Sequence, residues 1–251
     1  MRSARRAVAF GSFGLLTAST ASSLSGKMRH APSADRNKGP ISDALKRYPP
    51  WSEAASSNCL ELASGTGQHA AFLARSYPAV TMWPTEYGGS ASPESSAHDT
   101  SEVFASIVAY CSGLPNVRRP VELDAGAATW PDEIESNRFQ AVYACNVCHI
   151  SPFAVTEGLL RGAARVLAPG GGLFIYGPFK VNGKHTAESN EAFDARLRAN
   201  DAAWGVRDST ELELLGEPLG LRLVERVPMP ANNFLLYFVR AADACADARE
   251  G

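Results

Sequence analysis

The chain has 251 residues, of which 45% are hydrophobic and 20% charged, a composition typical of one large globular domain or two small ones. Its formal net charge of −2 excludes a global electrostatic field that would attract nucleic acid or an acidic membrane. The five cysteines, an odd number at scattered positions, exclude a disulfide framework and are typical of a reducing compartment. We therefore expect neither a nucleic-acid partner nor a membrane partner.

The first 33 residues differ in composition from the rest of the chain. Arginine and lysine are the only charged residues before Asp35, and Ser and Ala are frequent. The apolar run over residues 7–18 is too short to span a bilayer. This composition favours an organelle transit peptide, plastid or mitochondrial; a secretory signal peptide and a disordered tail of a cytosolic protein stay open. We assign residues 1–33 to this targeting or disordered segment, 34–242 to one domain and 243–251 to a tail.

From residue 58 to about 178, strand patterns alternate with helix patterns, which is typical of a mostly parallel sheet with helices on both faces. The predicted strands are 59–63, 80–83, 120–123, 141–145 and 173–176, and the predicted helices are 68–75, 94–111 and one that ends at the Pro-Gly-Gly-Gly run 169–172. Two last strands, 221–227 and 234–239, have no helix between them and should pair antiparallel. The polar span 179–215 is predicted to be a helical insertion over the site.

This order of elements predicts the fold class. It is α/β, a Rossmann-like three-layer sandwich with a mostly parallel seven-stranded sheet and an antiparallel C-terminal hairpin. A parallel sheet that finishes with such a hairpin is the arrangement of class I methyltransferases.

A glycine turn follows the first predicted strand. Residues 60–69 read as a buried strand that breaks at Gly65 and Gly67 and then starts a helix. Glycine lets the backbone turn sharply and approach a ligand with no Cβ in the way. Glu86 lies about 20 positions after Gly67, near the end of the second strand, where an acid holds two ribose hydroxyls. The two features together predict a bound nucleoside cofactor without separating a nicotinamide dinucleotide from S-adenosylmethionine.

Two further acids favour S-adenosylmethionine. Glu61 lies in an otherwise apolar strand, where an unpaired carboxylate is costly to bury. Methyltransferases usually carry an acid at this position, two residues before the first small residue, here Ala63, whereas dehydrogenases carry an apolar residue. Asp124, after the third strand, stands where methyltransferases commonly accept from the adenine amino group. The alternatives are a structural Glu61 that caps loop amides, and solvent exposure of Glu86 and Asp124 at strand ends.

A string of short motifs runs through the domain in a fixed order. These motifs resemble the methyltransferase-like protein 26 family, small predicted methyltransferases of undefined substrate, over residues 35–240. The motifs are Arg36-Asn37-Lys38-Gly39-Pro40-Ile41, Ala63-Ser64-Gly65-Thr66-Gly67-Gln68-His69-Ala70-Ala71, Leu123-Asp124, Asn146, His149-Ile150-Ser151-Pro152, Thr156-Glu157-Gly158-Leu159, Tyr176-Gly177-Pro178, Asn182-Gly183, Ser189-Asn190, Phe193-Asp194, Trp204-Gly205-x-Arg207-Asp208 and Met229-Pro230-Ala231-Asn232-Asn233.

The resemblance implies the class I fold and S-adenosylmethionine binding, and it adds Asn146 to the cofactor-binding residues. It supplies no substrate. The chain departs from the family at Trp83-Pro84, where the family usually has Trp-Gln-Pro before the second-strand acid. The acid itself is kept as Glu86, so ribose binding is expected, while the departure leaves its exact register open.

The stretch Cys145-Asn146-Val147-Cys148-His149 matches the string that attaches c-type haem. It falls at the end of a buried strand, and no second ligand pair is spaced for a closed zinc site, so we predict no metal. His149 and Ser151 are instead candidate catalytic residues at the tip of the fourth strand, His149 as a general base near neutral pH. The alternative is a structural role at the start of a helix.

Six polar residues are predicted to gather over the same sheet edge and to contact the substrate. Arg207 would hold a carboxylate in a forked contact. The alternative is that these side chains tie the insertion and the hairpin together. Residues 36–38 would fold back as a lid or form a solvated segment. The six residues are Tyr176, Lys180, Asn190, Arg207, Asn232 and Asn233.

These observations predict an S-adenosylmethionine-dependent methyltransferase acting on a small molecule. The alternatives are a protein that binds this cofactor without catalysis, as a regulatory or interaction module, and a nicotinamide-dependent oxidoreductase, which Glu61 and the terminal hairpin disfavour.

Overall fold

The structure is a computed structural model that describes residues 28–52, 55–88 and 100–242. Most of the predicted targeting segment and the predicted tail 243–251 lie outside the described residues. The predicted boundary between residues 33 and 34 falls inside the first helix.

The helices and strands alternate through most of the chain, as predicted. They are α1 Pro32–Leu45, β1 Ser57–Leu62, α2 Gln68–Ser76, β2 Val80–Glu86, α3 Thr100–Tyr110, β3 Val121–Glu122, α4 Asp132–Glu135, β4 Phe139–Cys145, α5 Phe153–Val166, β5 Leu167–Gly177, β6 Phe179–Val181, β7 Lys184–His185, α6 Glu188–Asn200, β8 Arg207–Asp208, α7 Ser209–Gly216, β9 Leu221–Met229 and β10 Asn233–Arg240. None of the helices in the described ranges is long and apolar enough to cross a membrane.

Seven strands form one sheet in the order β3-β2-β1-β4-β5-β10-β9. Strands β1 to β5 pair in parallel, and β10 runs antiparallel to both β5 and β9. The predicted sheet and its terminal antiparallel hairpin are confirmed. From β1 the successive strands β2 and β3 lie on one side, whereas β4 and β5 lie on the other. The connections from β1 and β4 therefore leave in opposite directions, and a crevice opens at the carboxyl ends of these two strands.

The central strand β4 is buried on both faces, which is typical of a parallel sheet covered by helices. Val142 and Ala144 pack into the core on one face, together with Leu159 and Leu160 of α5. Tyr143 packs on the other face, into a core that also contains residues of α1 and α2. The alternation of side chains along the strand therefore joins two cores through one rigid element.

Two details differ from the sequence-based expectation, and part of one predicted helix lies outside the described residues. The span 179–215 contains α6 and most of α7, as predicted, but also a small sheet in the order β7-β6-β8 that no sequence pattern indicated. Strand β5 begins at Leu167, so the Pro-Gly-Gly-Gly run lies within its irregular first half and α5 ends before it. Residues 94–99 of the predicted helix 94–111 lie outside the described residues.

Candidate functional site

The loop between β1 and α2 forms the floor of the crevice. Its backbone has positive φ at Ala63 (54°), Gly65 (55°) and Gly67 (87°). A Cβ on Gly67 would stand 2.7 Å from the Ile107 Cα of α3, so the loop and α3 approach each other as closely as only glycine permits. Packing as well as turn geometry therefore requires the second glycine of the motif.

Glu86 ends β2 beside this loop. One carboxylate oxygen accepts from the Gly65 amide at 2.6 Å, and the other accepts from the Tyr87 amide at 3.0 Å. Burial raises the pKa of Glu86, although both amides oppose the shift. The departure at Trp83-Pro84 has thus not moved the acid away from the glycine turn.

Glu61 lies beneath the same loop and is only 2% exposed. Its Oε2 has no hydrogen-bond partner among the residues that the structure describes. Burial raises the pKa of Glu61 to about 8, the Ser64 side chain opposes this, and the charge of Glu86 adds to it. The side chain therefore carries a proton at neutral pH, and its ionised form requires a partner that the protein does not provide.

Replacing Glu61 by Gln should change the pH dependence of stability. Because the folded-state pKa is raised from 4.5 to about 8, the protonated side chain favours the folded state relative to the unfolded one fully below pH 4.5. This contribution declines as the unfolded chain ionises and is lost as pH rises through 8. We expect the wild type to lose up to a few kcal/mol across this interval and Glu61→Gln to lose less. Chemical denaturation at pH 5.5 and pH 9 measures the difference; parallel curves for the two proteins would contradict it.

Asp124 follows β3 at the outer part of the crevice and is exposed. Its Oδ1 accepts from the Gly126 amide at 2.8 Å, a local turn that fixes the side chain. The Asp124 carboxylate thus lies at the end of the third strand, as predicted. It is exposed to solvent, which agrees with the alternative interpretation.

The N-terminal helix α1 is anchored to the glycine loop. The Ala31 amide donates to Gln68 Oε1 at 2.7 Å, and Gln68 Nε2 donates to Asp35 Oδ1 at 2.9 Å. Deeper in the protein, Asn37 is buried and its Oδ1 lies 2.9 Å from His69 Nε2. Residues 36–38 therefore belong to a folded helix beside the site, in which Asn37 is buried, Lys38 is half-buried and Arg36 is exposed to solvent.

His69 is part of a buried polar chain that the sequence reasoning missed. The Tyr143 hydroxyl lies 2.9 Å from His69 Nδ1, and burial together with the charge of Lys38 lowers the pKa of His69 to about 4. A neutral imidazole that accepts from Tyr143 donates from Nε2 to Asn37. This fixes the Asn37 amide, whose Nδ2 donates to Cys145 Sγ at 3.7 Å. The sequence feature that could have indicated this chain is a histidine in α2 and a tyrosine in β4, two elements that are otherwise mostly apolar.

A cavity of about 240 Å³ opens between α1, the ends of β4 and β5, and the β9–β10 turn. It contains three of the predicted site residues, which come from three different parts of the chain. Its apolar wall is Pro40, Pro230 and Ala231, and its polar wall is Ser33, Arg36, Asn37, Asn146, Tyr176 and Asn233. Burial raises the pKa of Tyr176, so its phenol stays protonated and can donate a hydrogen bond.

The two candidate catalytic residues lie in and after a short 3₁₀ turn, Cys148–Ile150. His149 is buried, and burial together with the charge of Arg207 lowers its pKa to about 4, which makes it a weak proton acceptor at neutral pH. The Ser151 hydroxyl donates to the Val147 carbonyl at 2.9 Å. This environment favours the structural alternative for both residues.

Arg207 connects the insertion to that turn. Its guanidinium donates to the carbonyls of Cys148 (2.9 Å), Ser151 (2.5 Å) and Ala203 (2.8 Å). These three carbonyls thus occupy the guanidinium N–H groups that were predicted to bind a substrate carboxylate. The geometry agrees with the alternative, in which Arg207 ties segments of the chain together.

Replacing Arg207 by Met should destabilise the fold by about 2–4 kcal/mol, because buried carbonyls lose their donor. Arg161→Met is the matched control, since Arg161 is exposed on α5 and should change stability by less than about 0.5 kcal/mol. Urea denaturation measures both. Unchanged stability of Arg207→Met would favour a substrate contact instead.

Three other predicted substrate residues are also engaged in internal contacts. Lys180 Nζ lies 3.1 Å from Asp194, a buried carboxylate that also pairs with Arg198. Asn190 donates to the Asn232 carbonyl at 2.9 Å, and Asn232 Nδ2 donates to Ser189 at 3.1 Å. The two hydrogen bonds of Asn232 join α6 to the β9–β10 turn that forms one wall of the cavity. Within the described ranges, no group of three His, Cys, Asp or Glu side chains could hold a metal ion.

The sequence pattern of the family described as "Protein of unknown function (DUF938)" matches residues 28–240. The chain belongs to this family. The matched span of the DUF938 chain includes α1, the glycine loop, the cavity and the closing hairpin.

Three solved structures that share this architecture are described as methyltransferases. An O-methyltransferase family protein from Burkholderia thailandensis is 17% identical with a TM-score of 0.65, over 84% of this chain and 59% of that one. Human N-acetylserotonin methyltransferase, in complex with S-adenosylmethionine, is 14% identical with a TM-score of 0.61, over 82% and 52% of the two chains. CalO1, a methyltransferase in calicheamicin biosynthesis solved with bound S-adenosylhomocysteine, is 16% identical with a TM-score of 0.58, over 83% and 54%.

The DUF938 chain thus spans little more than half the length of these proteins, and the likeness shows a shared fold. The predicted class I methyltransferase fold is confirmed: the mostly parallel sheet, its strand order and the antiparallel pair at its end are all present.

Proposed function

We propose that the chain binds S-adenosylmethionine at the glycine loop and transfers its methyl group to a small-molecule acceptor. The observation that carries the proposal is the pairing of this loop with Glu86, whose carboxylate ends β2 and contacts the Gly65 amide. A loop of positive-φ residues beside a strand-end acid is the arrangement that holds a nucleoside in doubly wound sheets. Neighbours of this fold that were solved with S-adenosylmethionine and S-adenosylhomocysteine support the choice of cofactor.

Each cofactor-binding residue has a distinct part in this proposal. Glu86 would accept from the ribose hydroxyls, Asp124 from the adenine amino group, and Asn146 would stand beside the reacting end. The positive φ of Ala63, Gly65 and Gly67 exposes the loop backbone to the amino-acid part. The ionised Glu61 would receive favourable interaction from a cationic ligand above the loop, which also lowers its pKa.

When bound, the cofactor would supply a methyl group on a positively charged sulfur. An incoming nucleophile attacks the methyl carbon in line with the carbon–sulfur bond, and the sulfur is the leaving group. The chain's own residues then act mainly by position, because alignment alone can contribute several kcal/mol. Asn146, Tyr176 and Asn233 converge on one cavity, where their amides and phenol would orient the acceptor. Neighbours of this fold such as N-acetylserotonin methyltransferase, whose name indicates a small-molecule acceptor, support an acceptor of this class.

The resemblance to the methyltransferase-like protein 26 family supports the same activity and belongs to this proposal, as does the organelle location, which rests on the composition of residues 1–33.

Calorimetric titration with S-adenosylmethionine and with NAD tests the cofactor. We expect S-adenosylmethionine to bind in the micromolar range or tighter and NAD to show no binding; the reverse would indicate a nicotinamide-dependent oxidoreductase. Incubation with methyl-labelled cofactor and a metabolite extract then separates an enzyme, which forms labelled product, from a protein that binds the cofactor without catalysis.

A further inference from the structure

The charged group at the cavity is an arginine without a partner. Arg36 lies on α1 and lines the cavity, and it makes no hydrogen bond or ion pair within the described part of the chain. The two residues next to it in the chain already have partners, since Asp35 pairs with Lys38 and Asn37 contacts His69. Guanidinium groups bind carboxylates and phosphates with two parallel hydrogen bonds, so an unpaired one beside a cavity selects anions.

The other polar groups of the cavity are neutral. Among the described residues that line it there is no Asp, Glu, Lys or His. A cationic acceptor such as an amine would therefore meet the charge of Arg36 and find no carboxylate, which disfavours it by like-charge repulsion. An anionic acceptor would instead meet one cation, the Tyr176 hydroxyl and the second N–H of the Asn37 and Asn233 amides. The first N–H of these amides donates to Cys145 Sγ and to the Pro230 carbonyl, respectively.

The same wall offers no proton acceptor suited to neutral pH. Burial keeps the Tyr176 phenol protonated, and the nearby His149 has a pKa lowered to about 4. A hydroxyl acceptor with a high pKa needs a base to remove its proton, whereas a carboxylate is already ionised at neutral pH. The volume of about 240 Å³ is below the range of about 300–1,000 Å³ that accommodates drug-sized ligands, which indicates a small molecule.

We propose that the acceptor is a small carboxylic acid, that Arg36 pairs with it, and that the product is its methyl ester. The inference rests on the proposed function, since the methyl group comes from the sulfonium cofactor. A carboxylate oxygen uses one lone pair to form the bond to the methyl carbon while the carbon–sulfur bond breaks and its electron pair stays on sulfur. The sulfonium becomes a neutral thioether, the carboxylate becomes a neutral ester, and no proton is transferred. The loss of charge removes the pairing with Arg36 and favours release of the product.

The buried chain beneath α1 positions this anchor. His69, held by Tyr143, binds the Asn37 amide, and Asn37 follows Arg36 in the same helical turn. Gln68 fixes the start of the helix through Ala31 and Asp35. The helix that carries Arg36 is thus attached to the end of the glycine loop, which fixes the distance between the acceptor site and the cofactor site.

The chemistry of the labelled product tests the proposal. The full chain is incubated with methyl-tritiated S-adenosylmethionine and a small-molecule extract, and the product is treated with mild alkali, which releases methanol from methyl esters but not from methyl ethers or methylamines. We expect volatile label. Base-stable label would overturn the inference while leaving the proposed function intact. Failure to bind the cofactor, or no labelled product from a chain that binds it, would overturn the proposed function and the inference with it.

Substitutions at the anchor give an independent readout. Arg36→Gln should lower kcat/KM for the extracted acid at least tenfold, mainly through KM, and leave the Kd of S-adenosylmethionine within twofold; Arg36→Lys should recover part of the loss. Arg161→Gln is the matched control, an exposed arginine on α5 away from the cavity, and should leave both constants unchanged. An unaltered KM in Arg36→Gln would overturn the role of Arg36.

Discussion

Replacing Glu86 by Ala is expected to weaken S-adenosylmethionine binding by about 100-fold or more. The substitution removes both oxygens that would accept from the ribose hydroxyls, and hydrogen bonds to a charged group contribute about 1.5–3 kcal/mol each. It also removes the acceptor of the Gly65 amide at 2.6 Å, so the glycine loop loses an internal contact. Calorimetric titration of the variant measures the loss in affinity.

Two further variants separate these effects. Glu86→Gln keeps the size and one acceptor oxygen and should show an intermediate loss of about tenfold. Glu133→Ala removes an exposed carboxylate from α4 and should leave the affinity unchanged. If Glu86→Ala binds as tightly as the wild type, the ribose acid has been misassigned and the proposed cofactor position fails with it.

Replacing Gly67 by Ala should abolish measurable cofactor binding and lower the free energy of unfolding by about 2–4 kcal/mol. The residue has φ of 87°, which costs about 1–2 kcal/mol for a residue with a Cβ. The added Cβ would also stand 2.7 Å from the Ile107 Cα, a backbone atom that can yield only if α3 moves. Overpacking of this kind costs about 1–3 kcal/mol more. Urea denaturation and titration measure the two effects.

Gly220→Ala is the matched control for Gly67→Ala. Its φ of 75° imposes similar backbone strain, but a Cβ there would meet nothing within 4 Å. We expect a loss of about 1–2 kcal/mol and unchanged cofactor binding. Equal destabilisation of the two variants would mean that the contact with α3 contributes nothing beyond the strain of the turn.

Several elements of the fold could be predicted because their signals are local. The strand-to-helix transition at Gly65 and Gly67, the apolar strand β4 and the helix-free hairpin of β9 and β10 each follow from patterns within about twenty residues. The small sheet of β6, β7 and β8 could not be predicted, because strands of two or three residues have no periodicity to detect.

The candidate site was predicted more completely on its cofactor side than on its acceptor side. Glu61 and Glu86 lie at strand ends, so the topology of the sheet places them without any knowledge of side-chain packing. Lys180 and Arg207 were predicted to contact substrate, yet they pair with Asp194 and with backbone carbonyls, since a long cation takes whichever acceptor the fold brings near.

The sequence by itself determined the α/β class, the order of strands and helices along the chain and the acids around the glycine turn, because these depend on periodicity and on the short-range geometry of glycine. Only the tertiary structure decided which polar residues share the cavity. Arg36, Asn146, Tyr176 and Asn233 are far apart in the chain and meet because α1 packs across the ends of β4 and β5. Their proximity and the absence of a partner for Arg36 within the described residues depend on packing between distant elements, which no local pattern encodes.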